Sequence, residues 1–83
     1  MNRKDKMRVL TRWVEEALIE MKGKATLTDV AKTIWKLHGN DIAEMGDFLF
    51  TWQYDYRWAA TALRKKGIMK PANRKRNGIW ELS

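Results

Sequence analysis

Between Arg57 and Arg76 the chain carries eight cationic side chains, Arg57, Arg64, Lys65, Lys66, Lys70, Arg74, Lys75 and Arg76, and no acidic one. Guanidinium and ammonium groups without counter-charges are suited to holding phosphate, since a surface shaped only for solubility mixes signs. Gln53, Arg57, Ala60, Thr61 and Arg64 recur at three- and four-residue spacing and would share one stripe of a helix. Amide, hydroxyl and guanidinium groups are the types that read base edges in a major groove, and small Ala60 among them would allow close approach. Arg74, Lys75 and Arg76, flanked by Asn73 and Asn77, lie between Pro71 and Gly78 in a stretch with turn composition, suited to clamping phosphates. Lys65 extends the basic stripe, although cations in a last helical turn, Lys65 and Lys66 alike, also stabilise the helix dipole.

No other chemistry assembles. There is no nucleophile with an attendant base and no glycine-rich phosphate cradle. Without cysteine, and with His38 as the single histidine, a zinc site lacks ligands. Asp41, Glu44 and Asp47, three residues apart, read as a solvated helical turn. Glu20-Met21-Lys22 echoes the E-x-K of metal-dependent nucleases, but on a helix Glu20 and Lys22 point in different directions. The expectation is a protein that is not an enzyme and has no catalytic residue, metal or cofactor.

A chain of 83 residues has room for one small domain, and its net charge of +7 points to nucleic acid before an anionic membrane. The charge is unevenly spread. Residues 2–24 hold seven bases and four acids, residues 25–56 two and five, and residues 57–83 eight and one. No apolar run approaches the ~18 residues of a membrane span, so the expected setting is the cytoplasm of a bacterial or phage-type system, associated with the nucleoid.

The elements expected to position these groups are three helices and a hairpin. Residues 1–7 read as a frayed basic arm. Leu10, Val14, Ala17, Leu18 and Met21 predict a helix over about 8–22, stopped by Lys22-Gly23. Thr26 with Asp29 has the form of a capping box for a second helix, about 27–38, with Leu27, Val30 or Ala31, Ile34, Trp35 and His38 inward and a stop at Gly39-Asn40. A third helix over about 54–66, capped by Thr51 or Asp55 and ended by Gly67, would turn Trp58, Ala59, Ala62 and Leu63 inward. Strands at about 68–71 and 78–82 would form a hairpin around the basic turn. Trp13, Trp35, Trp58 and Trp80 are expected in the core.

Three helices and a two-stranded hairpin, mainly α with a small β component, is the element order of a winged helix-turn-helix domain. The run Tyr56-Arg57-Trp58-Ala59-Ala60-Thr61-Ala62-Leu63-Arg64-Lys65-Lys66-Gly67-Ile68, then a basic turn, then Gly78-Ile79-Trp80-Glu81-Leu82, resembles the end of the winged-helix domain at the N-terminus of Mrr-type restriction endonucleases. That family shows R-x-x-W-A-x-x-x-L-K-K-x-G-L followed by R-G-x-W. The resemblance is strongest over residues 54–82 and looser over 10–38, where Leu27-Thr28-Asp29-Val30 matches the family's second helix. Residues 39–53 depart from it. It implies a DNA-binding module without the family's separate nuclease domain.

The leading expectation is a double-stranded DNA-binding protein, a small transcriptional regulator or accessory protein. Its readers are Gln53, Arg57, Thr61, Arg64 and Lys65, and its clamp is Asn73, Arg74, Lys75, Arg76 and Asn77. Two alternatives stand beside it. Phe48, Phe50 and Trp52 could form an apolar patch for a homodimer or another protein partner; or an exposed Trp52 and Tyr54 could stack on RNA or single-stranded DNA.

Overall fold

The computed structural model describes residues 2–72 and 78–83. Its elements are α1 (Arg3–Glu20), β1 (Lys24–Thr26), α2 (Leu27–Ala43), α3 (Phe48–Lys65) and β2 (Ile79–Glu81). The protein is mainly helical with a small two-stranded antiparallel sheet, an α+β arrangement as expected. Among the described residues no helix is long and apolar enough to cross a membrane.

Helix α1 begins earlier than expected. Asn2 caps it, its Oδ1 accepting the Asp5 amide at 2.9 Å, so Arg3–Met7 belong to the helix and not to a frayed arm. Leu10, Val14, Ala17 and Leu18 are fully buried, with Trp13 beside them. The helix closes with Gly23 N donating to Leu18 O at 2.6 Å and Lys22 N to Ile19 O at 3.0 Å. Here Lys22 adopts the left-handed conformation, φ 64°.

Thr26 caps α2 as its spacing predicts, Oγ1 accepting the Asp29 amide at 3.1 Å. The helix does not stop at Gly39-Asn40 but continues to Ala43. A glycine inside a helix costs about 1 kcal/mol, and complete burial of Ile42 beyond it contributes about 1.5–3 kcal/mol. Burial wins. The missing Cβ also makes room for the Trp35 ring, whose Cδ2 would stand 3.2 Å from a Cβ at position 39. Trp35, expected in the core, is about half exposed. His38 stacks on Trp13 with ring centroids 4.2 Å apart, Nε2 lying 2.8 Å from Glu16 Oε2.

The largest correction concerns α3, which starts at Phe48, six residues before the expected 54. Neither Thr51 nor Asp55 caps it; Asp47 occupies the N-cap without a side-chain bond. Burial of Phe48 and Trp52 secures these early turns. The inner face is Phe48, Trp52, Tyr56, Ala59, Ala60 and Leu63. Ala60, expected outside, is therefore buried, and Trp58, expected inside, is exposed. An aromatic array runs from Trp35 to Trp52, Tyr56 and Trp80 with centroids 5.2–6.1 Å apart, tying α2, α3 and β2 together.

The sheet also differs from expectation. β2 pairs with β1 in the register Lys24↔Glu81, Ala25↔Trp80 and Thr26↔Ile79. The expected strand at 68–71 is reduced to the bridge Met69↔Leu82, flanked by Lys70 N donating to Glu81 O and Ser83 N to Ile68 O. Ala25 and Trp80 face the core.

Candidate nucleic-acid interface

Aromatic residues occupy every second position from Phe48 to Trp58: Phe48, Phe50, Trp52, Tyr54, Tyr56 and Trp58. On an α-helix a two-residue step turns about 200°, so the six divide into two ladders on opposite faces. Exposure follows this division. Phe48, Trp52 and Tyr56 are 1%, 3% and 3% exposed, whereas Phe50, Tyr54 and Trp58 are 75%, 70% and 63% exposed.

The inner ladder fixes the outer one. Tyr56 packs against Trp80 and Trp52, and its hydroxyl donates to Leu27 O at 3.2 Å. α3 is thereby held in one rotation, with Phe50, Tyr54, Trp58 and the exposed cations Arg57 and Lys65 turned outward. The Arg57 guanidinium lies 5.9 Å from the centre of the Tyr56 ring, a cation–π contact that restrains its stem.

The expected readers are not equally placed. Gln53, Arg57 and Lys65 are exposed, and Gln53 also borders an open cleft between α2 and α3 with Lys32 and Trp35 on its walls. Thr61 is half-buried, its hydroxyl 3.5 Å from the Arg57 carbonyl. Arg64 is half-buried too, and its Nε donates to Lys70 O at 3.2 Å. This bond ties Lys70 to the end of α3, and Lys70 Nζ donates to Glu81 Oε2 at 3.0 Å. Arg64 therefore positions Lys70. The expected clamp, Asn73, Arg74, Lys75, Arg76 and Asn77, lies outside the described residues.

The apolar patch of Phe48, Phe50 and Trp52 is not one surface. Phe48 and Trp52 are core residues and only Phe50 faces out. Tyr54 and Trp58 take their place beside Phe50, and the signal for this was the two-residue aromatic period once the helix is started at Phe48. Asp41, Glu44 and Asp47 frame the turn between α2 and α3: Asp41 Oδ2 stands 3.5 Å from His38 Nδ1, Glu44 is the C-cap of α2 and Asp47 the N-cap of α3.

Three large rings at this exposure, four residues apart on one face of a helix, make an exposed apolar stripe of the kind that marks interaction sites. Interleaved with Arg57 and Lys65, it can offer ring faces, apolar edges and positive charge to one ligand. Comparison with known proteins brings no outside identity to this surface: no family model, no curated protein and no solved structure matches the chain.

Proposed function

We propose that the protein is a non-enzymatic nucleic-acid-binding module that engages double-stranded DNA, with the outward face of α3 in the major groove and the 72–77 turn on the backbone or minor groove, as in a winged helix. The observation that carries this reading is the outward face of α3, where Arg57 and Lys65 share one surface with Phe50, Tyr54 and Trp58. The element order supports it. A strand precedes α2 and the last strand pairs with it, and Arg64 near the C-terminal end of α3 holds Lys70 O, four residues before Arg74, the first cation of the expected clamp. A role in regulation or as a DNA-associated accessory protein follows from such binding. The likeness to the Mrr-type domain belongs to the same proposal.

The exposed ladder favours a second reading, single-stranded nucleic acid, because unpaired bases stack on aromatic faces with about 1–3 kcal/mol per base. Burial of Ala60 adds to it, since the alanine over which the helix backbone could approach base edges is absent from the outward face. Competition decides between them. A labelled duplex bound to the protein is challenged with unlabelled duplex or with either of its separated strands. Displacement at lower concentration by duplex supports the first reading, and displacement at lower concentration by single strands supports the second. No binding by any of these at low salt refutes both.

A further inference from the structure

We infer that the cleft between the N-terminal half of α1 and the C-terminal end of α3 is a second phosphate-binding surface, which takes the sugar-phosphate backbone of nucleic acid bound at α3. The inference rests on the function proposed above and adds a second region of contact to it.

The cleft is open, about 870 Å³ in volume, and lined by five cations, Arg3, Lys4, Arg8, Arg12 and Lys66, against the single carboxylate of Glu15. All five cations are exposed, and none has an ion-pair partner among the described residues. Lys4, Arg8 and Arg12 form one row at four-residue spacing along α1. The row spans about 12 Å at 1.5 Å per residue, an axial length carrying roughly three or four phosphates of one duplex strand.

On α1 these charges lie where stability alone would not put them. Arg3 and Lys4 in the first turn oppose the helix dipole, and Lys4, Arg8 and Arg12, four residues apart, repel one another. A polyanion reverses both costs on binding. An acidic polypeptide is the other ligand with suitable charge, but continuity with α3 favours the nucleic-acid backbone. Lys65 and Lys66 are consecutive, Lys65 on the outward face of α3 and Lys66 on the rim of the cleft, so one strand can pass from one surface to the other.

The test is a salt titration of a duplex oligonucleotide with the full chain, the triple variant Lys4→Gln/Arg8→Gln/Arg12→Gln, the charge-preserving pair Arg8→Lys/Arg12→Lys, and Arg57→Gln. The triple variant should lower the log–log salt slope by about 2–3, near 0.9 for each phosphate no longer neutralised, and melt no lower than the parent, since the replaced side chains are exposed and mutually repulsive. The Lys pair should keep the parent slope. An unchanged slope in the triple variant, with Arg57→Gln still weakening binding, overturns the cleft inference and leaves the proposed function standing. Parent protein that binds no nucleic acid overturns both. A Lys pair that falls as far as the Gln variant shows that packing, not charge, is at work and overturns the inference. So does capture of polyglutamate by the parent but not by the triple variant while their duplex slopes agree, because the cleft then takes an acidic polypeptide.

Discussion

Trp52 and Trp58 lie six residues apart on the same helix, and the fold assigns them opposite consequences. Trp52 is 3% exposed and stands between Trp35 and Tyr56. Truncating a buried tryptophan costs about 3–5 kcal/mol, so Trp52→Ala should lower the melting temperature by roughly 12–40 °C at about 4–8 °C per kcal/mol for a domain of this size. Trp58 is 63% exposed. The hidden third of a side chain that can bury at most about 250 Å² is worth an upper bound of about 2 kcal/mol, and Trp58→Ala should move the melting temperature by less than about 16 °C. Its effect on binding is the larger one. Covering such a ring on a nucleic acid contributes about 1–3 kcal/mol, so affinity should fall roughly 5- to 150-fold. Circular dichroism melts and fluorescence anisotropy with a labelled oligonucleotide read the two quantities separately. Equal destabilisation by both substitutions would refute the rotation assigned to α3, and unchanged affinity in a folded Trp58→Ala protein would remove the outward ladder from the interface.

Other expectations concern the anchoring of α3 and the basic segment beyond it. Gly67 ends α3 at φ 76° with no atom within 4 Å of a Cβ placed there; Gly67→Ala should therefore cost about 1 kcal/mol through the backbone alone, readable as a lower urea midpoint with an unchanged m-value. Tyr56→Phe removes the hydroxyl that reaches Leu27 O and should cost about 0.5–1.5 kcal/mol in the same assay; no loss would mean that this bond does not help fix α3. Changing Arg74, Lys75 and Arg76 together to Ala should weaken binding to every duplex sequence alike, whereas Arg57→Ala should alter preference among sequences, both read from a bound pool of random duplexes.

Local signals in the chain were legible and distant ones were not. Thr26 caps α2 through a bond three residues long, and the α1 stripe of Leu10, Val14, Ala17 and Leu18 follows from helical period alone. The pairing of β1 with β2 joins three-residue strands more than fifty residues apart, too short to leave a periodic trace. Gly39 carries a real stop signal, overridden by burial of Ile42 beyond it. The face of α3 differs from the one its sequence predicts for a physical reason. Aromatics at every second residue obey the period of a strand, and a helical wheel begun at residue 54 omits Phe48 and Trp52, the side chains that set the rotation. Exposure of Gln53, Arg57 and Lys65 survives that error because they lie away from the inner face on either wheel. Trp58 and Ala60 exchange roles because they lie near the boundaries that moved.

If the outward face of α3 and the adjoining basic cleft hold a nucleic-acid backbone, duplex affinity should fall steeply as the salt concentration rises. Neutralising about 5–8 phosphates predicts a log–log slope near −4 to −7. A flat dependence, or no binding at the lowest salt, would mean that the protein holds no nucleic-acid backbone.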